Sequence, residues 1–196
     1  MENAVHRPPA KAARQSLDRE AWIRGAVAVL VDDGMDGLRV EVLAKRLKVT
    51  KGSFYWHFKD RRDLLDAVLD TWKQGRVADI RKQTACEPGG EAAALLHTIE
   101  VYSAARSRRG ILIEAAMRDW ARRDPRAAQV VEEVDAERLA CACRLFLASG
   151  MPDAEARARS VMLYAYVFGV SLMHCDRFAP DLTELKQWIA ARIARQ

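Results

Sequence analysis

Residues 39–62, RVEVLAKRLKVTKGSFYWHFKDRR, constrain the fold of this chain more than any other stretch. Val40, Leu43, Ala44 and Leu47 recur at helical spacing, which predicts a helix over about 40–47 with one apolar face. Thr50 can cap a second helix over about 51–57, with Phe54 and Phe58 turned to the core. The pattern is two short helices joined by a tight turn, and the face left over carries Lys51, Ser53, Tyr55, Trp56 and His57. Eight Lys or Arg stand in this segment against two acids, Glu41 and Asp60. Residues 1–62 hold 13 basic and 8 acidic side chains, whereas residues 63–196 hold 19 of each. The whole formal charge of +5 therefore sits in the first third, which implies a polyanion partner there and a different task for the rest.

The surrounding sequence is helical in character. Half of the residues are hydrophobic, Pro and Gly number only 6 and 10, and β-branched runs are scarce. A helix is predicted from about Leu17–Asp18 to Gly34, with Asp18 as its cap and Trp22, Ile23, Ala26, Val27, Leu30 and Val31 inward. Asp60 caps a long helix to about Lys82. Further helices are expected at about 91–107, 110–122, 125–148, 153–176 and 181–195, punctuated by Glu87-Pro-Gly-Gly, Arg109-Gly110, Asp124-Pro125, Gly150–Asp153 and Ala179–Asp181. Residues 1–16 are polar and Pro-containing, a disordered arm whose Lys11 and Arg14 could lie on phosphates. The expected division is an arm at 1–16, a basic unit at 17–75 and a helical unit at 76–196. The longest apolar run, Val161–Met173, is too short for a span of about 20 residues, and no signal peptide is visible, so no membrane role and a cytoplasmic location are expected.

Several chemistries lack their residues. His6, His57, His97 and His174 are scattered, with no HExxH pattern, so no metal site is expected. Cys141 and Cys143, two apart, point to nearly opposite helix faces and fit neither a zinc site nor a redox CxxC. Small core hydrophobes are the favoured reading of the cysteines. GxGxxG, P-loop and GxSxG motifs are absent, and neither an enzyme nor a bound cofactor is expected.

A helix that enters a DNA major groove needs small or polar residues at its exposed N-terminal end and an apolar back. TKGSFYWHF supplies both. Thr50 and the free N–H groups of the first turn suit a phosphate, and Gly52 allows close backbone approach. Lys51 and Ser53 can reach phosphates or base edges, Tyr55 and Trp56 offer apolar faces with polar tips, and Glu41 can accept from a cytosine amino group. The segment from about Asp18 to Thr71 closely resembles the N-terminal domain of TetR-family transcriptional regulators, through Gly34, Leu43-Ala44, Leu47, Val49–Tyr55, His57-Phe58 and Leu64-Leu65. The resemblance implies an all-α fold of about nine helices, in which a three-helix helix-turn-helix domain precedes a helical ligand-binding and dimerisation domain. It also implies a homodimeric repressor, released from a palindromic double-stranded operator by a small-molecule effector. By it, Thr50, Lys51, Gly52, Ser53, Tyr55, Trp56 and His57 match DNA-contacting positions, and Arg61 matches a phosphate-binding Lys. Two positions depart from the pattern. Lys48 stands where the turn usually has Gly, at a cost of about 1 kcal/mol if φ is positive, and Arg39 replaces the usual Thr or Ser cap.

The remaining two-thirds resembles the family in length and helical layout only. Val161–Met173 is apolar nearly all round, and Leu182, Leu185, Ile189 and Ile193 give the last helix a stripe with Trp188 beside it, which predicts a dimer interface through the last two helices. Tyr102, Met117, Trp120, Phe146, Met162, Tyr166 and Phe168 are the candidate lining of a pocket for an apolar or aromatic effector. Arg138 lies in line with Val131, Val134, Cys141 and Leu145; snorkelling to solvent is the favoured account, with Asp119 or an acidic ligand as its partner if buried. Two alternatives compete: a thiol-based redox-responsive regulator using Cys86 or Cys175, and a helical protein-binding module without DNA recognition.

Overall fold

The computed structural model describes residues 17–103, 108–173, 178 and 181–194. The expected arm at 1–16, with Lys11 and Arg14, lies outside them, as do Cys175 and the side chain of Tyr102. The described residues form nine α-helices and no strand: α1 Arg19–Gly37, α2 Val40–Arg46, α3 Lys51–Phe54, α4 Arg61–Gln83, α5 Glu91–Ser103, α6 Arg108–Ala121, α7 Pro125–Ala148, α8 Asp153–Leu172 and α9 Leu182–Ala194.

Three helix starts follow from one capping device. Asp18, Asp60 and Asp124 have extended backbones, and their carboxylates accept from the N–H groups of Ala21, Asp63 and Ala127. Pro125 takes the first turn of α7, where its missing N–H leaves no bond unmade. Thr50 differs from expectation: it has the extended backbone of a cap, but its side chain makes no capping bond. The first turn of α3 instead has the Ser53 hydroxyl donating to the Thr50 carbonyl at 2.7 Å. The helical backbone of α1 breaks at Gly34, as expected, where φ is 68°, and a short second helical stretch continues to Gly37.

The core has two parts. The first joins α1–α4 to α6 and the first half of α7, through Trp22, Phe54, Phe58, Leu64, Val68, Met117, Trp120, Val130 and Val134. The second joins α5, the rest of α7, α8 and α9, through Leu95, Ile99, Phe146, Leu163, Val167 and Ile193. Residue 75 falls within α4, whose Leu64, Leu65, Ala67, Val68, Leu69, Trp72 and Ile80 enter the first core. The helix that follows the turn unit is thus also a strut against the rest of the molecule. Among the described residues, no helix is long and apolar enough to cross a membrane.

Candidate nucleic-acid interface

The connection between α2 and α3 is built by backbone hydrogen bonds. Lys48 N–H donates to Lys45 O at 3.2 Å and Val49 N–H to Ala44 O at 3.0 Å, the paired closure of a Schellman motif, with Lys48 at φ 57° in the left-handed position. Lys48 is exposed, so it occupies a glycine's conformation while presenting a charge. Beneath the turn, Phe54 is fully buried, edge-on to Trp22 at 5.4 Å and stacked on Phe58 at 5.3 Å. The Tyr55 ring stands edge-on to Phe54 at 5.2 Å, so burial of Phe54 also aims Tyr55 outward.

What remains on the surface is the residue set expected from the sequence. Thr50, Lys51 and Gly52 are exposed, Ser53 and His57 half-buried, and Tyr55 and Trp56 are 54% and 87% exposed. A Cβ on Gly52 would meet only Thr50 Oγ1, at 3.8 Å. Nothing inside the chain requires a bare backbone there. Lys51 is paired with Glu41, two candidate DNA contacts joined to each other across the turn. The pairing holds the Glu41 carboxyl below its ordinary range, chiefly through the Lys51 hydrogen bond, and raises Lys51 in return. Arg39 starts α2 without a side-chain cap. Arg61 donates through Nε to the Leu38 carbonyl and through Nη2 to that of Met35, so its guanidinium secures the α1–α2 connection.

The candidate pocket residues with described side chains divide between the two cores and the surface. Met117 and Trp120 are fully buried in the first core, and Phe146 in the second. Tyr166 and Phe168 pack beside the second core, whereas Met162 is 56% exposed on the outer face of α8. Met and aromatic residues at helical spacing serve mainly as packing here, which their residue types alone do not distinguish from a pocket lining. A groove of about 500 Å³ instead opens between α6 and α7, lined by Arg118, Arg122, Val131, Glu132 and Asp135.

Arg138 corrects the snorkelling expectation. It is 1% exposed and forms a bidentate pair with Glu114, at 3.0 and 2.6 Å, not with Asp119, which faces Arg123. Asp135 accepts from Arg138 at 2.7 Å and, at both oxygens, from Arg118. The Phe168 ring lies under the guanidinium carbons of Arg118 and Arg138, at 4.7 and 5.3 Å. The alignment of Arg138 with an apolar stripe was the visible signal; its partner, 24 residues earlier on α6, was not. Along α4, Arg62 pairs with Asp124, Asp70 with Arg126, Lys73 with Glu133 and Arg81 with Glu137, a ladder to α7 and its cap. Among the described residues, no three His, Cys, Asp or Glu side chains gather in a way that could hold a metal ion.

Residues 23–68 match the sequence profile of a family described as bacterial regulatory proteins, tetR family. Over 54 residues the chain is 52% identical to the class C tetracycline repressor protein of Escherichia coli, covering 28% of this chain and 25% of that one. Over 60 residues it is 44% identical to the class G protein of Vibrio anguillarum, covering 31% and 29%. The matched stretch thus spans about a quarter of the length of these relatives. Solved structures extend the likeness of fold to nearly the whole chain. A transcriptional regulator from Rhodococcus sp. Rha1 superposes with a TM-score of 0.68 at 22% identity, over 90% of this chain and 94% of that one. The multidrug binding protein EbrR, solved with malachite green, gives 0.65 at 21% identity, over 91% and 98%. Residues 23–68 thus carry the sequence pattern of the tetR family of bacterial regulatory proteins, and beyond that segment the likeness is one of fold.

Proposed function

We propose that this protein is a homodimeric DNA-binding transcriptional regulator, a repressor released from a palindromic operator by a small-molecule effector. The observation that carries the reading is the exposed Lys51–Trp56 surface. Trp56 is 87% exposed beside Tyr55, on a turn whose cations outnumber its acids, and Gly52 leaves its backbone bare without an internal reason. Large aromatics left in water just past the end of α3, beside the cations of its first turn, fit a partner that supplies phosphates and base edges together. Thr50, Lys51, Ser53, Tyr55, Trp56 and His57 would enter the groove, with Arg39, Glu41 and Lys48 at its rim.

The dimer would form through α8 and α9. Val161, Met162 and Leu172 on α8, Met173 just after it, and Leu185 and Trp188 on α9 are all exposed, while Leu163, Val167, Ala190 and Ile193 fill the chain's own core. Each helix thus has one apolar face used and one left over. Residues 17–75 would read DNA and 76–196 would bind effector and partner, with α4 linking the two. Its ladder to α7 offers the means of coupling, since a ligand that moves α7 changes where α4 holds the turn unit. An apolar or aromatic effector is in keeping with EbrR, solved with malachite green. The test is footprinting of the full-length protein across genomic DNA of its source. The expected result is protected sites with two-fold symmetry; protection without discrete sites, or none, would overturn the reading.

A further inference from the structure

The α4–α5 connection and the C-terminal half of α7 enclose a groove of about 290 Å³, lined by Thr84, Cys86, Glu91, Cys141, Arg144 and Leu145, among others. It holds two thiols in different settings. Cys86 is exposed on the connection, and Cys141 is buried on α7. The Cys141 sulfur accepts from Arg144 Nη2 at 2.9 Å and directs its own hydrogen to Glu137 Oε1 at 3.5 Å. Glu137 is the carboxylate that receives Arg81 from the last turns of α4. Cys143, two residues along, faces a different groove between α7 and α8. Helix geometry therefore sets one of the two α7 thiols opposite Cys86 and turns the other away.

We propose that Cys86 and Cys141 form an intrachain disulfide on exposure to hydrogen peroxide, fastening the α4–α5 connection to α7. In the first step the exposed Cys86 thiolate attacks a peroxide oxygen. The O–O bond breaks, Cys86 becomes a sulfenic acid, and the departing hydroxide takes the thiol's proton and leaves as water. In the second step the Cys141 sulfur attacks that of Cys86. The S–S bond forms as the S–O bond breaks, and the departing hydroxide leaves as water with the Cys141 proton. Two electrons pass from the two thiols to one peroxide. The Arg144 guanidinium stabilises the negative charge that builds on Cys141 as its proton departs.

Bridging needs the two Cα atoms within roughly 4.4–6.8 Å of each other, so the connection closes over the groove. Its own bonds permit this, because they are local: Gly90 N–H to Glu87 O at 2.9 Å and Gly89 N–H to Glu91 Oε1 at 3.0 Å. The segment can shift as a unit without breaking a helix. Once formed, the bridge removes the Cys141 hydrogen from Glu137 and ties the α4–α5 connection to α7 covalently, near the Arg81 rung of the ladder. The chemistry stands apart from DNA reading, so the two proposals fail separately.

The experiment uses the full-length reduced protein, treated with hydrogen peroxide, alkylated under denaturing conditions and mapped as peptides without reduction. The expected result is a Cys86–Cys141 peptide and a raised melting temperature, both reversed by dithiothreitol. Cys143→Ser and Tyr55→Ala keep the bridge, and Cys86→Ser, a surface change that leaves the core intact, loses it together with the rise in melting temperature. Cys141→Ala, a small apolar replacement, loses it as well. A bridge to another cysteine, an interchain bridge through Cys86, or Cys86 halted at sulfinic acid with Cys141 still alkylated, would each overturn the proposal.

Discussion

Tyr55 and Lys51 illustrate how much one buried ring decides. Phe54 is held by Trp22 and Phe58, and Tyr55, next in sequence and edge-on to Phe54, is turned out by helix geometry. Tyr55→Ala should leave helix content and melting temperature unchanged while costing about 1–3 kcal/mol of operator affinity in gel shifts, the usual worth of a base-edge contact. Lys51→Ala frees Glu41 and should flatten the salt dependence of binding, as expected when a phosphate contact is lost. Affinities and salt slopes indifferent to both changes would refute the proposed reading surface. Lys48 carries a separate prediction. At φ 57°, Lys48→Gly should stabilise the fold by roughly 0.5–1 kcal/mol in denaturant titrations. Because it also removes an exposed cation, its DNA affinity should fall.

At the scale of elements, α7 is the organiser, with α4 on one side and α6 and α8 on others. Arg138, with Glu114 and Asp135, joins α7 to α6 beneath the Phe168 ring of α8. Removing one partner of a buried pair leaves an uncompensated charge, so Glu114→Gln should destabilise by about 3–5 kcal/mol. The double change Glu114→Leu with Arg138→Met should cost much less, which denaturant titration would show. Burial pushes the Asp135 carboxyl up, but Arg118 and Arg138 outweigh it and hold it below the ordinary range. The Arg81 hydrogen bond lowers Glu137 and the Lys73 hydrogen bond lowers Glu133. For carboxylates lowered by folding, the stabilisation is complete above their unfolded values, about 3.9 for Asp and 4.3 for Glu. It is lost as pH falls through the lower folded values. Melting temperature should therefore drop as pH falls below about 4, and Asp135→Asn should remove part of that dependence. An unchanged acid profile in this variant would show that the network does not set it.

For the whole molecule, the question is what covers the outer faces of α8 and α9. Val161 and Met162 are each more than half exposed, as are Leu172, Met173 and Trp188, large apolar side chains left in water on or beside these two helices. Truncation after Ala179 removes α9 and strips cover from the second core, where Ala190, Ile193 and Ala194 are buried. The shortened chain should lose dimerisation or aggregate in sedimentation velocity. A gentler test is Val161→Glu, which changes an exposed position only and should give a folded monomer with weakened operator binding. A full-length chain that sediments as a stable monomer would refute the dimer outright.

Much of this was legible in the sequence, for physical reasons that are local. Helix spacing, the caps at Asp18 and Asp60, and the breaks at Pro and Gly depend on neighbours within a few residues, so the helices and the turn unit could be read directly. The segregation of charge into the first third is a matter of counting. Even Lys48's positive φ follows from its place in the turn. The ladder between α4 and α7, the Glu114 partner of Arg138, and the meeting of Cys86 with Cys141 across one groove join residues 24 to 62 positions apart. Nothing in a local pattern pairs one charge or thiol with another at that separation. The same limit separates Met117, Trp120 and Phe146, which fill the cores, from Met162, which faces outward. An apolar side chain records that it should leave water, but only the packing of helices decides whether it enters a core, lines a cavity or waits for a second chain.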